Sequence, residues 1–309
     1  MMEFRDVSFV YDPTAKEVVK ALDGVSLTIE DHEYLGLLGH TGSGKSTLVQ
    51  HMNALNLPTS GQVLINGLDT GGTRSQVRKI RQQVGLVFQY PEDQLFEPTI
   101  YKDIAFGPRN LKLDEQEIDR RVRKAMEAVG LDFNTMKDRS PFELSGGQKR
   151  RVAIAGVLAL EPRYLVLDEP TAGLDPQGRK EILGEIHKIY EANPSMSIIL
   201  VTHSMEDVAE HANRLVVLDG GRIVMDGSPK EVFSREEELE AIGLALPQIT
   251  KLMRSLKARG MDVDPSALTV DQAFRSLNAY LQTHPMRRSA GVEGPTVSPE
   301  SGWKGGRHE

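Results

Sequence analysis

The chain has 309 residues, 39% of them hydrophobic and 26% charged, which is enough apolar material for one large domain or two smaller ones. Its net charge of −7 argues against a broad nucleic-acid-binding surface. It has no cysteine, which excludes disulfides and thiolate metal sites. No run approaches the roughly 18 apolar residues of a membrane-spanning helix, and the N-terminus lacks a signal-peptide core, so we expect a cytoplasmic protein.

Predicted strands dominate the first segment, up to about residue 67. Apolar and β-branched residues predict strands over 18–22, 25–29 and 63–65, and the last of these lies in a stretch typical of a hairpin arm. The apolar run over residues 34–38 predicts a strand that is buried on both faces. This strand leads directly into the first informative motif.

A glycine-rich loop that matches the pattern G-x-x-x-x-G-K-[ST] follows the buried strand, and a predicted helix containing Leu48 and Met52 follows the loop. In this setting the glycines let backbone N–H groups face phosphates at a helix N-terminus. We expect Lys45 to contact the β- and γ-phosphates and the Ser46 hydroxyl to bind Mg²⁺. The predicted nucleotide-binding residues of this loop are Gly39, His40, Thr41, Gly42, Ser43, Gly44, Lys45, Ser46 and Thr47.

Helices are predicted from about residue 90 to 139, after a short strand over 84–88. The pair Asp114 and Glu117 has the spacing of a capping box, and Gly130 predicts the C-terminal end of the same helix. The apolar face between them consists of Ile118, Val122, Ala125 and Val129.

The string Leu-Ser-Gly-Gly-Gln at residues 144–148 has two compatible interpretations. Ser145 and Gln148 have the spacing of a capping box, which opens a helix through Val152 and Leu158. A capped helix start with two glycines is also suited to anions, yet the chain has only one loop of the Lys45 type. The basic run over 149–151 is expected on a solvated helix face.

Two apolar strands are predicted further along, and each ends in polar residues. The strand over 164–168 ends in Asp168 and Glu169, where a metal ion and an attacking water could be held. The strand over 197–202 delivers His203 to the same sheet edge. Such carboxylates can also be a helix cap, and a single histidine at a strand end is more often structural. Strands alternating with helices up to about residue 223 indicate a mostly parallel sheet.

These motifs, in this order, resemble the ATP-binding cassette (ABC) family of ATPases, whose distinguishing signature is the string at 144–148. The resemblance implies an α/β fold: a P-loop ABC nucleotide-binding domain over 1–229, with a RecA-like core, an antiparallel β arm and a helical subdomain at about 90–160. It also implies head-to-tail dimerisation. The signature residues that cover the γ-phosphate held by the other subunit are then Ser145, Gly146, Gly147 and Gln148.

The family's roles carry over position by position. The resemblance implies that Asp168 holds Mg²⁺ through water and that Glu169 acts as general base on the attacking water. His203 matches the switch histidine that senses the γ-phosphate. Gln89 matches the Q-loop glutamine, a Mg²⁺ ligand and a lever to the partner protein. Asp175 ends the string that matches the D-loop, which crosses the dimer interface.

Tyr11 matches the aromatic residue that stacks on adenine in the family. The alternative is that it only packs in its strand, since Phe9 lies on the same face. With ATP so placed, Lys45, Mg²⁺ and backbone N–H groups supply most of the charge stabilisation for phosphoryl transfer.

The region from Tyr90 to Arg109 narrows the resemblance to the ATPase subunits of energy-coupling factor (ECF) transporters, closest to the second (A-prime) type. The resemblance covers about residues 1 to 283. It implies an ATP hydrolase, peripheral on the cytoplasmic face of the cell membrane, that energises import of a vitamin or a transition-metal ion. The implied partners are a second ATPase chain, identical or paralogous, a transmembrane coupling subunit and a substrate-binding membrane subunit.

Two other functions remain open at this stage. The nearer is the ATPase subunit of an ordinary binding-protein-dependent importer, and the less favoured is a soluble ABC ATPase without a transport role. Within the ECF interpretation, Glu92 and Asp93 beside Leu95 and Phe96 suit docking of a membrane-subunit helix that bears arginine. The alternative for these acids is a solvated turn.

Residues 230–283 lie beyond the ATPase domain and predict a helical extension. Thr269 and Gln272 have capping-box spacing and open its last helix. An apolar stripe either packs on its own cassette or helps hold two ATPase chains together, and the pattern favours neither. The stripe, interrupted at Pro247, comprises Leu239, Ile242, Leu246, Ile249, Leu252, Met253 and Leu256. Residues 284–309 are expected to form a disordered tail.

Overall fold

The computed structural model describes residues 1–12 and 19–284. Within these residues the strands are β1 (Met2–Val10), β2 (Lys20–Ile29), β3 (Tyr34–Leu38), β4 (Ser60–Ile65), β5 (Leu68–Asp69), β6 (Val84–Val87), β7 (Tyr164–Asp168), β8 (Ser197–Val201), β9 (Arg214–Asp219) and β10 (Arg222–Gly227). The helices are α1 (Lys45–Met52), α2 (Arg74–Gln83), α3 (Ile100–Asn110), α4 (Glu115–Ala128), α5 (Phe133–Met136), α6 (Gly146–Leu158), α7 (Pro176–Ala192), α8 (Met205–His211), α9 (Pro229–Ser234), α10 (Glu236–Ala241), α11 (Gln248–Ala258) and α12 (Val270–Thr283). Short 3₁₀ helices cover Pro91–Gln94 and Pro141–Glu143.

A mostly parallel sheet lies at the centre of the described part of the fold, in the order β10-β9-β3-β8-β7-β6. Strands β9, β3, β8, β7 and β6 are parallel, and β10 returns antiparallel to β9. Parallel neighbours need a crossover connection, which here is supplied by helices such as α7 between β7 and β8. The carboxyl ends of β3, β7 and β8 therefore meet at one edge, which confirms the predicted α/β sheet.

A second, antiparallel sheet in the order β2-β1-β4-β5 covers one face of the parallel sheet. Its apolar side chains share a core cluster with Leu35 and Leu37 of β3 and with Leu48 of α1. Because side chains alternate along a strand, Tyr34 and Leu38 point to the opposite face, into the cluster formed with the helices. This arrangement confirms the RecA-like core with an antiparallel β arm.

Strand β2 runs through the point where the sequence predicts two strands, 18–22 and 25–29. Gly24 has a φ of 66°, and its N–H donates a hydrogen bond of 2.9 Å to the Ser8 hydroxyl. The pairing with β1 shifts register around Val25. A glycine bulge thus absorbs the irregularity without ending the strand. Val18 lies outside the described residues.

The helical subdomain consists of helices that pack together beside β6, the edge of the parallel sheet. Helix α4 begins at the predicted cap, where Asp114 accepts a 2.9 Å bond from the Glu117 N–H, and Gly130 follows its end with a φ of 69°. Helix α6 opens with both halves of the predicted capping box. The Ser145 hydroxyl accepts from the Gln148 N–H at 3.3 Å, and the Gln148 amide oxygen accepts from the Ser145 N–H at 3.2 Å.

The predicted solvated face for the basic run 149–151 is wrong at two of its three positions. Arg150 is 1% exposed and Arg151 is 16% exposed. Arg151 donates a 2.9 Å bond to the Val129 carbonyl and pairs with Glu181 and Glu185. A guanidinium is tolerated in the interior where carboxylates and carbonyls accept from its donors. Tertiary partners, rather than the run of charge, decide the position of these side chains.

The apolar stripe of the C-terminal helices divides between two clusters. Leu239 and Leu246 belong to the large cluster that includes the cassette's helices, so this part of the stripe packs on its own cassette. Met253 instead packs with Val263 and Ala273 in a separate cluster between α11 and α12. The break falls where predicted, with Pro247 as the N-cap of α11.

The last helix, α12, begins at the predicted cap Thr269, whose hydroxyl accepts from the Gln272 N–H. Among the described residues, no helix is both long enough and apolar enough to cross a membrane. The predicted disordered tail lies outside the described residues, apart from His284.

Two imidazoles, the buried His51 and the half-buried His211, predict how stability depends on pH. Burial lowers the pKa of both His51 and His211. As pH falls below about 6.5, the unfolded chain binds protons that these folded-state rings do not, so protonation favours unfolding. We expect the free energy of unfolding, measured by urea titration, to decrease between pH 7.5 and pH 5.5.

The variant His211→Asn should show a smaller decrease over this range. His284→Asn, which changes an exposed ring, is the matched control and should keep the full decrease. An equal pH dependence in the wild-type protein and in His211→Asn would contradict the assignment to His211.

Candidate active site

The loop between β3 and α1 allows a ligand to approach the backbone closely. Gly39 and Gly44 have φ values of 152° and 108°. A Cβ on Gly39 would lie 2.4 Å from the Leu218 carbonyl oxygen, and one on Gly44 would lie 2.5 Å from that of Ala21. Only glycine fits at these two positions. The loop ends at the N-terminus of α1, where free N–H groups and the helix dipole favour phosphate.

Lys45, the first residue of α1, folds its ammonium back over the loop. Its Nζ donates hydrogen bonds of 2.7 Å to the Gly39 carbonyl and 2.9 Å to the His40 carbonyl. Burial lowers the pKa of Lys45, and the negative charges of Glu169 and Asp168 oppose that shift. The ammonium therefore lies at the mouth of the glycine loop, within electrostatic reach of both acids.

Asp168, at the end of β7, lies against the start of α1. Helix α1 packs on β7, so the Ser46 side chain, at the second position of α1, lies on the same side of the site as this carboxylate. Burial raises the pKa of Asp168, as does the neighbouring Glu169, whereas the nearby Ser46 hydroxyl and the Lys45 charge lower it. A hydroxyl and a carboxylate are hard oxygen donors, the kind that hold Mg²⁺ together with substrate phosphates and water. The donor set at Ser46 and Asp168 fits this ion.

Glu169 adopts a left-handed backbone conformation with a φ of 51°, which is rare for a residue with a side chain. Its N–H donates a 2.9 Å bond to the Val201 carbonyl, which ties the residue to the end of β8. Its carboxylate lies 2.9 Å from Nδ1 of His203. The His203 side chain is 76% exposed and the Glu169 side chain 18% exposed. The two residues thus form a pair whose imidazole faces solvent.

Tyr11 lies beside the same loop, just beyond the end of β1. Its hydroxyl is 2.9 Å from the Thr47 hydroxyl, and its ring meets Phe9 edge-on with a centroid distance of 4.9 Å. The residue is 64% exposed. It therefore both packs against Phe9, as the alternative interpretation holds, and leaves ring surface free for a base.

The signature residues lie apart from the glycine loop of their own chain. In the part of the chain that the structure describes, no hydrogen bond or ion pair joins residues 145–148 to residues 39–47. Helix α6 packs on α3, α4 and the edge strand β6. β6 is three strand positions from β3, about 14 Å at the usual spacing of strands. The signature therefore lies on the helical side of the molecule.

Two further predicted residues lie in other segments of the chain. Gln89 is exposed just after β6, at the same sheet edge as the other motifs. The Asp175 carboxylate accepts a 2.9 Å bond from the Gly178 N–H and so caps helix α7. One chain thus brings together Lys45, Ser46 and the two acids with His203, but not the signature.

In the turn after Gln89, only one of the two acids that the sequence offers for docking is exposed. Glu92 accepts two bonds from Arg150, of 3.0 and 2.7 Å, and is therefore not a free surface acid. Asp93 and Phe96 are exposed. No sequence pattern marks Arg150 as buried, because a run of three basic residues is most often solvated.

A groove of about 980 Å³ lies beside this turn, between α2, α3 and α6. Phe96 and Phe106 line it, 57% and 46% exposed, with their rings edge-on at 5.0 Å. Three arginines of α2, namely Arg74, Arg78 and Arg81, line the opposite side. Exposed aromatic rings with charge around them are typical of a protein-binding surface.

Comparison with known proteins matches this chain to ABC transporter proteins. A model of the ABC transporter family matches residues 22–172. The energy-coupling factor transporter ATP-binding protein EcfA2 of Symbiobacterium thermophilum is 56% identical over 90% of this chain and 96% of its own length. The protein of the same name from Clostridium tetani is 53% identical over 89% of this chain and 96% of its own length.

Solved structures agree with this similarity. The structure of cbiO1 from Clostridium perfringens, described as part of the ABC transporter complex cbiONQ, has a TM-score of 0.70 and 38% identity, and covers 82% of this chain and 98% of its own. The ATP-binding cassette MJ0796, in a dimer bound to ADP and Pi, has a TM-score of 0.65 and 28% identity, and covers 74% of this chain and 99% of its own.

The loop geometry predicts a binding defect for Lys45→Ala. Removing the ammonium leaves phosphates without their charged donor, so we expect MgATP affinity, measured by calorimetry, to fall by about 100-fold, the scale of a charge-assisted hydrogen bond. Lys180→Ala, at an exposed position on α7, is the control and should bind normally. Micromolar affinity in Lys45→Ala would refute the assignment.

Proposed function

The chain belongs to the ABC transporter family, among the ATP-binding subunits of ECF transporters, and from this premise we propose how its residues perform and couple ATP hydrolysis. It is an ATP-hydrolysing subunit of the EcfA2 type that energises an ECF-type importer. The ordinary binding-protein-dependent importer is disfavoured, because the relatives carry the ECF name over nearly their whole length. The import of a vitamin or a transition-metal ion stays part of the proposal.

The proposal for hydrolysis rests on one observation above all: the Glu169–His203 pair lies next to Asp168, within electrostatic reach of Lys45 at the mouth of the glycine loop. We assign phosphate binding to the loop and to Lys45. Ser46, Asp168 through water, and Gln89 would hold Mg²⁺, which neutralises charge on the β- and γ-phosphates when bound. Tyr11 would stack on the adenine ring.

The attacking water gives its proton to Glu169 in this scheme. A carboxylate that lies 2.9 Å from Nδ1 of His203 is held in a fixed orientation. With Nδ1 engaged, His203 keeps Nε2 for the γ-phosphate, which is how it would sense the nucleotide. Positioning and electrostatic stabilisation, rather than covalent chemistry, supply the rate enhancement.

A second ATPase chain would complete the site. The signature residues 145–148 lie away from their own loop, so we assign them, together with Asp175, to nucleotide held by a partner chain, identical or paralogous. The dimeric form of the similar cassette MJ0796 supports this arrangement. Assembly of the two chains then controls hydrolysis, because neither chain alone carries the complete set of phosphate-binding groups.

The groove between α2, α3 and α6 is the proposed docking site of the transmembrane coupling subunit. Phe96 and Phe106 would anchor a helix of that subunit. Asp93, exposed in the turn beside the groove, would accept a hydrogen bond from an arginine of that helix. The similar cbiO1, described as part of the cbiONQ complex, supports such an assembly. The chain would then lie on the cytoplasmic face of the membrane, next to a substrate-binding membrane subunit.

The division of the chain is also a proposal. We take 1–229 as the ATPase domain, with its helical subdomain at about 90–160, and 230–283 as the extension. The separate apolar cluster around Met253 supports an extension with a small core of its own. Leu252 and Phe274 are 48% and 66% exposed there, which leaves apolar surface for contact with a second chain.

The base assignment predicts the behaviour of Glu169→Gln. The amide keeps the size of the side chain but cannot accept the proton, so steady-state ATPase should drop about 100- to 10,000-fold while ATP binding remains. Size-exclusion chromatography should show an ATP-dependent dimer that persists. The control is Glu181→Gln, at an exposed position on α7, which should hydrolyse ATP at the wild-type rate. Unchanged ATPase in Glu169→Gln would remove this residue from the base role.

The docking assignment predicts that Asp93→Lys uncouples transport. Reversing this exposed charge should repel the arginine of the coupling helix and reduce both co-purification with the membrane subunits and uptake. The ATPase activity of the isolated chain should stay near wild type. Glu191→Lys reverses an exposed acid near the C-terminal end of α7 and should leave uptake unchanged. Wild-type uptake with Asp93→Lys would refute this role.

A further inference from the structure

Arg150 is the buried charge whose partners join three separate segments of the site. It lies two residues beyond the signature, in the first turns of α6, and is 1% exposed. Its Nε and Nη2 donate to the two carboxylate oxygens of Glu92 at 3.0 and 2.7 Å. Its Nη1 donates to the Ala172 carbonyl at 2.8 Å. Each nitrogen of the guanidinium therefore has a partner.

Each partner belongs to a segment with its own place in the proposed cycle. Glu92 lies in the 3₁₀ helix Pro91–Gln94, between Gln89 and the docking groove. Ala172 lies in the loop between Glu169 and Asp175, and its N–H donates a 3.1 Å bond to the Glu169 carbonyl. The Arg150 side chain thus connects the docking turn, the start of the signature helix and the backbone of the loop that carries the base.

The geometry of this connection requires arginine. A planar guanidinium can hold a carboxylate through two donors while a third donor reaches a carbonyl on another side. A lysine ammonium has no such fixed directions and would hold Glu92 and Ala172 less rigidly. Because the group is buried, its position is determined by these bonds rather than by solvent.

We propose that Arg150 is a positioning residue that transmits the state of the docking groove to the signature helix and to the loop after Glu169. This inference rests on the proposed docking function of the groove. When a bound coupling helix shifts the turn Pro91–Gln94, Glu92 moves the guanidinium, and the start of α6 and the Ala172 carbonyl move with it. Occupancy of the groove is thereby linked to assembly of the hydrolytic site.

The test uses the full transporter complex, reconstituted in vesicles with its second ATPase chain and membrane subunits. Arg150→Lys and Glu92→Gln should each lower the substrate imported per ATP hydrolysed by about five- to tenfold. The KM for ATP should stay within about twofold, because Arg150 contacts neither the glycine loop nor Tyr11, which hold ATP within one chain. The double variant should lose no more than the worse single variant, since both changes break one link.

Arg151→Lys is the matched control. This neighbouring arginine is also largely buried and paired, but with Glu181, Glu185 and the Val129 carbonyl, away from the docking turn. A purely structural role for Arg150 would lower the melting temperature in Arg150→Lys and Arg151→Lys alike and leave the import ratio unchanged in both. That result would overturn the proposal.

Two other outcomes separate this inference from the docking proposal. If the wild-type chain binds the membrane subunits and Arg150→Lys imports with the wild-type ratio, only the role of Arg150 fails. If the wild-type chain does not bind them at all, the docking function fails and the inference fails with it. Should Arg150→Lys not fold, the same ratio of substrate imported per ATP hydrolysed is measured for Glu92→Gln. A wild-type ratio in Glu92→Gln would also overturn the proposal.

Discussion

The parallel arrangement of β3, β7 and β8 is the constraint on which the site depends. Because adjacent parallel strands end at one edge, residues far apart in sequence, among them Lys45, Asp168 and His203, meet there without any direct link between their segments. The glycines of the loop then bring the backbone itself to the ligand. A small number of side chains can act on phosphate in this setting because the sheet holds them in place.

The same topology explains why one chain is incomplete. Helix α6, which presents the signature, is packed on the helical subdomain beyond the edge strand β6 rather than above β3. Moving it to its own loop would require breaking the core cluster that includes Val152 and Leu158. The fold therefore favours completion by another chain, and this makes hydrolysis dependent on assembly.

Buried charge connects the parts that must move together. Apolar side chains could hold the helical subdomain to the sheet, but they would not select one relative position as sharply as paired groups do. Arg150 with Glu92 and Arg151 with Glu185 fix such positions on successive residues of one helix. They differ in what they reach: the first pair lies beside the docking turn and the loop after Glu169, and the second joins α6 to α7.

Local pattern in the sequence was sufficient for the elements and the motifs: the glycine loop, the strands that lead to Asp168 and His203, and the helix caps at Asp114, Ser145 and Thr269 depend on residues only a few positions apart. Only the tertiary structure decided that β2 is one strand, that Glu92 is paired and that Arg150 is buried. The physical reason is distance along the chain, since Glu92 and Arg150 are 58 positions apart and become partners only when the whole fold brings α6 against the docking turn.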